Sequence, residues 1–428
     1  MRARSKRLAA QLVFALVLWS MSAVSLVGCP THRAQRDHAV APIDTRIIIA
    51  ANDFGFRVFK VVAGRDPEHN VIVGPASAAI GLAIAYAGAS GRTAQEMGKT
   101  LGLVGMSRDT ANKAYAAWLA DLKSADPKVD LGVANSLWIR ADRPVRPQFI
   151  DEAKRFFGAE VANLDFSRPD TLSTINDWVA KHTNEKITRA IEYVDPRTQS
   201  FLIDALYFKG SWTRAFDSSK TRPHSVFFRG TGTSEKIVDV PMMMQTGIYR
   251  YLETDEFQAI SLPYGDGRIS MYVFLPIHPA GLGSFLATLN ADRWEALRGQ
   301  FADKKGEIWL PRFTAPYRTD LVKPLTALGV RSAFDYTANF AHMRSERDIF
   351  IQHVFHEAHL VVDEQGTEAT VETTIEYHLK GNRPIPSGEF RMNVNHPFFF
   401  AITDNDSGSM LFMGAIIDPT AERRGARS

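Results

Sequence analysis

Histidine recurs every third residue at His353, His356 and His359, and imidazole is a common zinc ligand and a general base near neutral pH. On a helix the three would share a face and could hold a metal. Ile349-Phe350-Ile351 and Leu360-Val361-Val362 flank them, and both read as strand. In a strand alternate residues share a face, so His356 points away from the other two. His356-Glu357-Ala358-His359 is also one residue short of the zinc-protease helix motif. No metal site and no cofactor is expected. Serine chemistry has little support either. No G-x-S-x-G nucleophile elbow and no phosphate loop occurs, and Gly88-Ala89-Ser90-Gly91 reads as a helix end or turn. A hydrolytic enzyme is the minor reading.

The chemistry that residues 361–388 offer is that of a substrate. Thr367, Ala369, Val371, Thr373, Ile375, Tyr377 and Leu379 fall on one face of a period-two pattern. Glu368, Thr370, Glu372, Thr374, Glu376 and His378 fall on the other. That is a half-buried strand. It runs into Lys380-Gly381-Asn382-Arg383-Pro384-Ile385-Pro386-Ser387-Gly388, which is loop chemistry and open to proteolysis. By pattern alone this is an ordinary strand entering a loop.

The surrounding blocks change that reading. Glu364-Gln365-Gly366-Thr367-Glu368-Ala369 resembles the hinge of the serpins, a family of serine protease inhibitors. Asn70 to Ser77, Ala134-Asn135-Ser136-Leu137-Trp138, Ala205 to Trp212, Val240 to Met244, Leu310-Pro311-Arg312-Phe313, Asn395-His396-Pro397-Phe398 and Leu411-Phe412-Met413-Gly414 resemble further serpin blocks. They stand in the family's order over residues 46 to 419. The resemblance implies an α+β fold with three β-sheets, eight or nine helices and an exposed reactive-centre loop over residues 367 to 380. It implies no enzyme, but a suicide substrate. A protease cuts the loop, the loop inserts into the main sheet from the hinge (Glu364, Gly366, Thr367, Glu368, Ala369), and the acyl-enzyme is trapped.

Counting as the family does, seventeen residues from Glu364 end at Lys380, so Lys380–Gly381 is the implied reactive bond and the partner a trypsin-like serine protease. Leu379 and Arg383 are the other candidates, although Pro384 would hinder a cut after Arg383. Ser77 and His356 match positions under the opening of that sheet, where the family has an asparagine partner and this chain has Asp204. On insertion Thr367 would start from the mouth of the sheet, and Glu368, Glu372 and Glu376 would face solvent. Val371 and Glu372 depart from the small residues that inhibitory members carry. The alternative is therefore a non-inhibitory serpin that binds or scaffolds.

The ends of the chain suggest a location. Arg2, Arg4, Lys6 and Arg7 precede an almost wholly apolar run from Leu8 to Val27, and the single cysteine follows in Leu26-Val27-Gly28-Cys29. A basic region, an apolar run and a small residue describe a secretory signal, and the cysteine resembles the lipobox of bacterial lipoproteins. The expectation is a signal over 1–28, lipidation at Cys29, a tether over 29–45, the serpin domain over 46–419 and a polar tail over 420–428. The protein would be exported and lipid-anchored in a bacterial envelope. Losing the four basic residues of 1–28 turns 50 Lys+Arg against 47 Asp+Glu into a formal net charge of −1. A nucleic-acid surface is thus not expected, and the protein reads as a monomer meeting a protease and a bilayer.

The elements expected to position this loop are a helix over 47–62, an apolar helix over 75–86, helices over 93–101, 110–123, 147–157, 172–184, 284–297 and 319–328, and strands over 131–139, 201–208, 225–276, 307–313 and 349–362. A hairpin over 397–417 closes the chain.

Overall fold

The computed structural model describes residues 43–229, 236–367 and 389–421. The signal, Cys29, most of the tether, Glu368, Ala369, Leu379, Lys380, Gly381, Arg383 and the tail beyond 421 lie outside the described residues.

Helix α1 (Thr45–Arg65) begins at the Asp44 side chain, which accepts the Arg46 N–H at 3.1 Å as an N-cap does. The expected tether therefore ends before Thr45. A short strand β1 (Val71–Val73) passes through Gly74 into α2 (Pro75–Gly88). Pro75 sits in the first turn, where its missing N–H is no loss. The helix is apolar all round and so must be enclosed; Ile80, Leu82 and Ile84 are buried. Then come α3 (Gly91–Thr100), α4 (Arg108–Lys123), β2 (Val129–Arg140), α5 (Pro147–Phe157), β3 (Glu160–Leu164) and α6 (Thr171–His182). Gly158 ends α5 at φ 62°, a left-handed cap that glycine adopts without a Cβ clash.

Strands follow: β4 (Ser200–Ser211), β5 (Arg222–Arg229), β6 (Lys236–Glu253), β7 (Phe257–Pro263) and β8 (Ile269–Pro276). Two short helices, α7 (Leu282–Thr288) and α8 (Ala291–Arg298), lead to β9 (Ala302–Pro311), β10 (Phe313–Asp320) and α9 (Val322–Ala327). The chain closes with β11 (His353–Val362), β12 (Gly366–Thr367), β13 (Phe390–Asn393), β14 (Phe398–Asp404) and β15 (Met410–Ile416).

The resemblance implies three sheets; among the described residues the ladders join into two. The larger runs β1-β15-β14-β8-β7-β6-β9-β13, with β5 on β6. It is continuous because β6 is 18 residues long, pairing with β7 near its end and with β5 and β9 along its length. The main sheet runs β10-β11-β12-β4-β2-β3. Its inner face gives Leu202, Leu206 and Phe208 to the principal core with α2. Its outer face gives Phe201, Ile203 and Ala205 to a second core with Ile175 and Val179 of α6.

Three expected elements differ. The helix over 284–297 is two, because the Asn290 side chain accepts the Arg293 N–H at 2.8 Å and starts α8 afresh. The helix over 319–328 begins at Val322, since Thr319 and Asp320 finish β10 against β11. The strand over 349–362 begins at His353. Among the described residues no helix is long and apolar enough to cross a membrane, and no group of His, Cys, Asp and Glu is arranged to hold a metal.

Candidate functional site

The site is the seam between β4 and β11. These strands run parallel, with His353 opposite Phe201, His356 opposite Asp204 and His359 opposite Tyr207. At one end the chain turns through Asp363 and comes back as β12 between them. Thr367 there pairs with Val362 of β11 and Gly210 of β4, antiparallel to both. Parallel neighbours leave an antiparallel strand a ready slot, since each offers a free row of N–H and C=O groups once parted.

The turn is held from several directions. The Asp363 Oδ1 accepts the N–H of Gln365 at 2.9 Å and of Gly366 at 3.2 Å. Trp212 donates its indole N–H to the Asp363 carbonyl and its main-chain N–H to the Gln365 carbonyl, each at 2.9 Å. Gly366 packs so closely on β4 that a Cβ there would run into the Gly210 carbonyl oxygen and Ser211 Cα. The Glu364 carboxylate accepts from the Thr221 hydroxyl at 2.7 Å and lies 3.5 Å from the Arg312 guanidinium. The Thr367 and Tyr264 hydroxyls meet at 2.6 Å, and Tyr264 stacks on Trp212 at 4.3 Å. Burial pushes the Tyr264 phenol pKa up, with the Thr367 contact partly opposing it.

Mid-seam lies a polar cluster. Ser77, Asp204, His356 and Asn135 are all buried. The Gly74 N–H donates to His356 Nε2 at 3.1 Å, so that nitrogen carries a lone pair and Nδ1 carries the proton. Nδ1–H then donates to Asp204 Oδ2 at 2.7 Å, while the Ser77 hydroxyl donates to Asp204 Oδ1. Burial raises the Asp204 pKa, and the neighbouring His356 with its hydrogen bond pulls the other way. Desolvation dominates, because a carboxylate removed from water loses more than one neutral donor returns. The three residue types are those of a hydrolytic triad, but the order is wrong. The serine sits on the carboxylate, and the outer imidazole nitrogen is taken by the main chain. No nucleophile–base pair is formed.

The structure thus brings together Ser77, Asp204 and His356, and gathers Glu364, Gly366 and Thr367 at one end of the seam. Two expectations need correction. Thr367 is not at an open mouth; it is 1% exposed and already a strand residue, because Gly210 and Val362 pair with it and Tyr264 satisfies its hydroxyl. The outer face, expected to leave the loop glutamates in solvent, is covered midway. Ile203 and Ala205 are 0% exposed and Glu357 is 2%, because α6 and the chain after it pack there. Sequence reasoning missed Tyr264 and Thr221, which meet the turn across 103 and 143 residues. Trp212, Arg312 and Asn135 stood inside blocks already quoted, without a role.

The comparisons bear on this geometry. A family model described as Serpin (serine protease inhibitor) matches residues 49–419. An uncharacterized serpin-like protein of Thermococcus kodakarensis is 32% identical over 378 residues, covering 87% of this chain and 86% of that one. Neuroserpin of Gallus gallus is 29% identical, covering 86% and 91%. Among solved structures, a thermophilic serpin, tengpin, in the native state gives a TM-score of 0.78 at 26% identity, covering 88% of this chain and 95% of that one. Serpin48 of the insect Tenebrio molitor gives 0.76 at 28%, covering 88% and 98%.

Proposed function

This chain belongs to the serpin family, and on that premise we propose that it is a suicide-substrate inhibitor of a trypsin-like serine protease. The loop is cut after Lys380, inserts between β4 and β11, and carries the acyl-linked protease away before it can deacylate. Insertion is the extension of β12, a strand that has already begun.

The observation that carries this reading is a pair of registers. Thr367 faces Gly210 on one side and Val362 on the other. Continued along the seam, the same registers set Ala369 against Phe208 and Leu360, Val371 against Leu206 and Ala358, and Thr373 against Asp204 and His356. The first four of those partners, Phe208, Leu360, Leu206 and Ala358, have buried apolar side chains. The one hydroxyl on that loop face between Thr367 and Tyr377 would arrive at the polar cluster, where Asp204 loses His356 as the seam parts and needs a donor. Each inserted residue would add ladder hydrogen bonds worth roughly 0.5–1.5 kcal/mol net.

On the outer face Glu368 would meet exposed Lys209, but Glu372 would arrive between Ala205 and Glu357. A second carboxylate beside a buried one is unfavourable. Arg318, 3.5 Å from Glu357, is the cation within reach. Glu372 is thus the residue that weighs toward the non-inhibitory alternative.

We further propose that Cys29 is lipidated and anchors the protein in a bacterial envelope. The inhibitory reading is tested by incubating residues 30–428 with trypsin and running the mixture in denaturant. A covalent complex and a released peptide from Gly381 to Ser428 are expected, and Lys380→Ala should lose trypsin inhibition with an unchanged melting curve. A cut elsewhere moves the reactive bond. Rapid cleavage without complex, across protease classes, favours the non-inhibitory alternative.

A further inference from the structure

A cationic pocket of about 380 Å³ opens where β5, β9 and β13 meet, and β13 is the first strand after the loop among the described residues. Its members that matter here are Arg222, His224, Trp309, Arg391, Asn393 and Asn395. The β5–β6 ladder is irregular between Arg222 and Ser225, where Pro223 has no N–H to pair, and such a bulge re-aims side chains. The Arg222 guanidinium carbon lies over the Trp309 ring, 4.1 Å from its centroid, a cation–π contact, and a guanidinium so placed keeps N–H groups to donate. Trp309 is itself fixed. Its indole N–H donates to Glu307 at 2.6 Å, and Glu307 also accepts from Arg391 at 2.8 Å.

The charges do not cancel. Glu307 answers Arg391, and Asp239 stands 3.9 Å from His224. Among the described residues no carboxylate answers Arg222. A guanidinium fork on an aromatic floor, with carboxamides beside it, suits a carboxylate.

We propose that this pocket is a docking site for an acidic side chain on the surface of the protease that attacks the loop. The inference rests on the function proposed above for where that protease sits. Asn393 follows Lys380 by thirteen residues, at most about 45 Å of extended chain. A protease domain of ~220 residues is roughly 40 Å across, a span close to that limit, so one acylated at Lys380 would come within reach of β13 and the pocket. The pocket then selects proteases by surface charge, beyond the choice that Lys380 makes.

Two trypsins of like primary specificity and opposite net charge, anionic and cationic, separate these effects. The quantity measured is the second-order rate of reaction at the loop, which exists whether the protease is trapped or released. Failure to trap therefore rejects the inhibitory reading and leaves this readout intact. Arg222→Glu should slow the anionic enzyme about tenfold at low salt, with the difference closing at high salt, as steering by charge requires. The cationic enzyme should not slow. His224→Glu, at a side chain 82% exposed, should act in the same direction and serves if Arg222→Glu lowers the melting temperature. Equal slowing of both enzymes, no slowing by either variant, a salt-independent effect, or a loop that neither enzyme cuts would overturn the proposal.

Discussion

Asp204 is a buried acid in a network whose other members are neutral, and that sets its pH behaviour. Burial raises its folded pKa above the ordinary 3.8. The native chain thus holds this proton more tightly than the unfolded chain does. The stability tied to it is complete below the unfolded value and is lost as pH rises through the folded one. Asp204→Asn keeps an acceptor for His356 and removes the charge. Its melting temperature should match wild type near pH ~4 and exceed it increasingly above that, by a degree or two for ~1 kcal/mol in a chain this long. A constant offset would show that folding does not shift the Asp204 pKa, and a deficit that widens with pH would show the carboxylate to be favourable where it sits. Ser77, Asp204 and His356 could be singled out from sequence because each stands in or beside a block with a recognisable pattern. Tyr264 and Thr221 could not, because a hydroxyl reaching across more than a hundred residues leaves no local periodicity.

At the scale of elements, the proposed mechanism divides the hinge into residues already in the sheet, which end at Thr367 of β12, and residues that would enter it on cleavage. Thr367→Arg attacks the first kind: it displaces a hydroxyl paired with Tyr264 at a position 1% exposed. It should destabilise the uncut protein by several kcal/mol, as an unpaired buried charge does. Ala369→Arg attacks the second kind. The uncut protein should melt as wild type does. On cleavage the guanidinium would have to pass between Phe208 and Leu360, so the variant should be cut as a substrate and release active protease. Gel electrophoresis and residual protease activity separate the two, and an Ala369→Arg that still traps protease would argue against insertion. Glu372→Ala should act oppositely, lowering the inhibitor consumed per protease trapped by about fivefold for ~1 kcal/mol of relieved repulsion. No change would mean that Glu372 finds a cation on arrival. Strongly marked elements are readable in advance: α5 starts at its proline and ends at Phe157 as expected. The expected helix over 284–297 is divided by the cap that the Asn290 side chain makes on the Arg293 N–H, a single contact that helical spacing does not announce. The covered outer face was hidden for a similar reason, since alternation along a loop says which residues share a face but not what packs above it.

At the scale of the molecule, the proposed inhibitor would complete its main sheet on cleavage, and the lipid anchor proposed at Cys29 would set where it does so. Cys29→Ser should abolish fatty-acid labelling in cells, and labelling that survives would refute the anchor. The reading as a single domain follows from the lack of an evident internal repeat and of a Gly/Ser/Pro-rich linker in the middle of the chain. The count of sheets was beyond it, because sequence order does not reveal that one long strand, β6, joins two sets of neighbours. The central claim is that the loop enters between β4 and β11 in the register that β12 has begun. A crystal structure of the protein cut at Lys380 measures this directly. The expected result is a β12 lengthened to seven or more residues between β4 and β11, with Thr373 opposite both Asp204 and His356 and the direct β4–β11 ladder gone. An intact ladder from His353–Phe201 to His359–Tyr207 in the cut protein, with the loop outside the sheet, would contradict it.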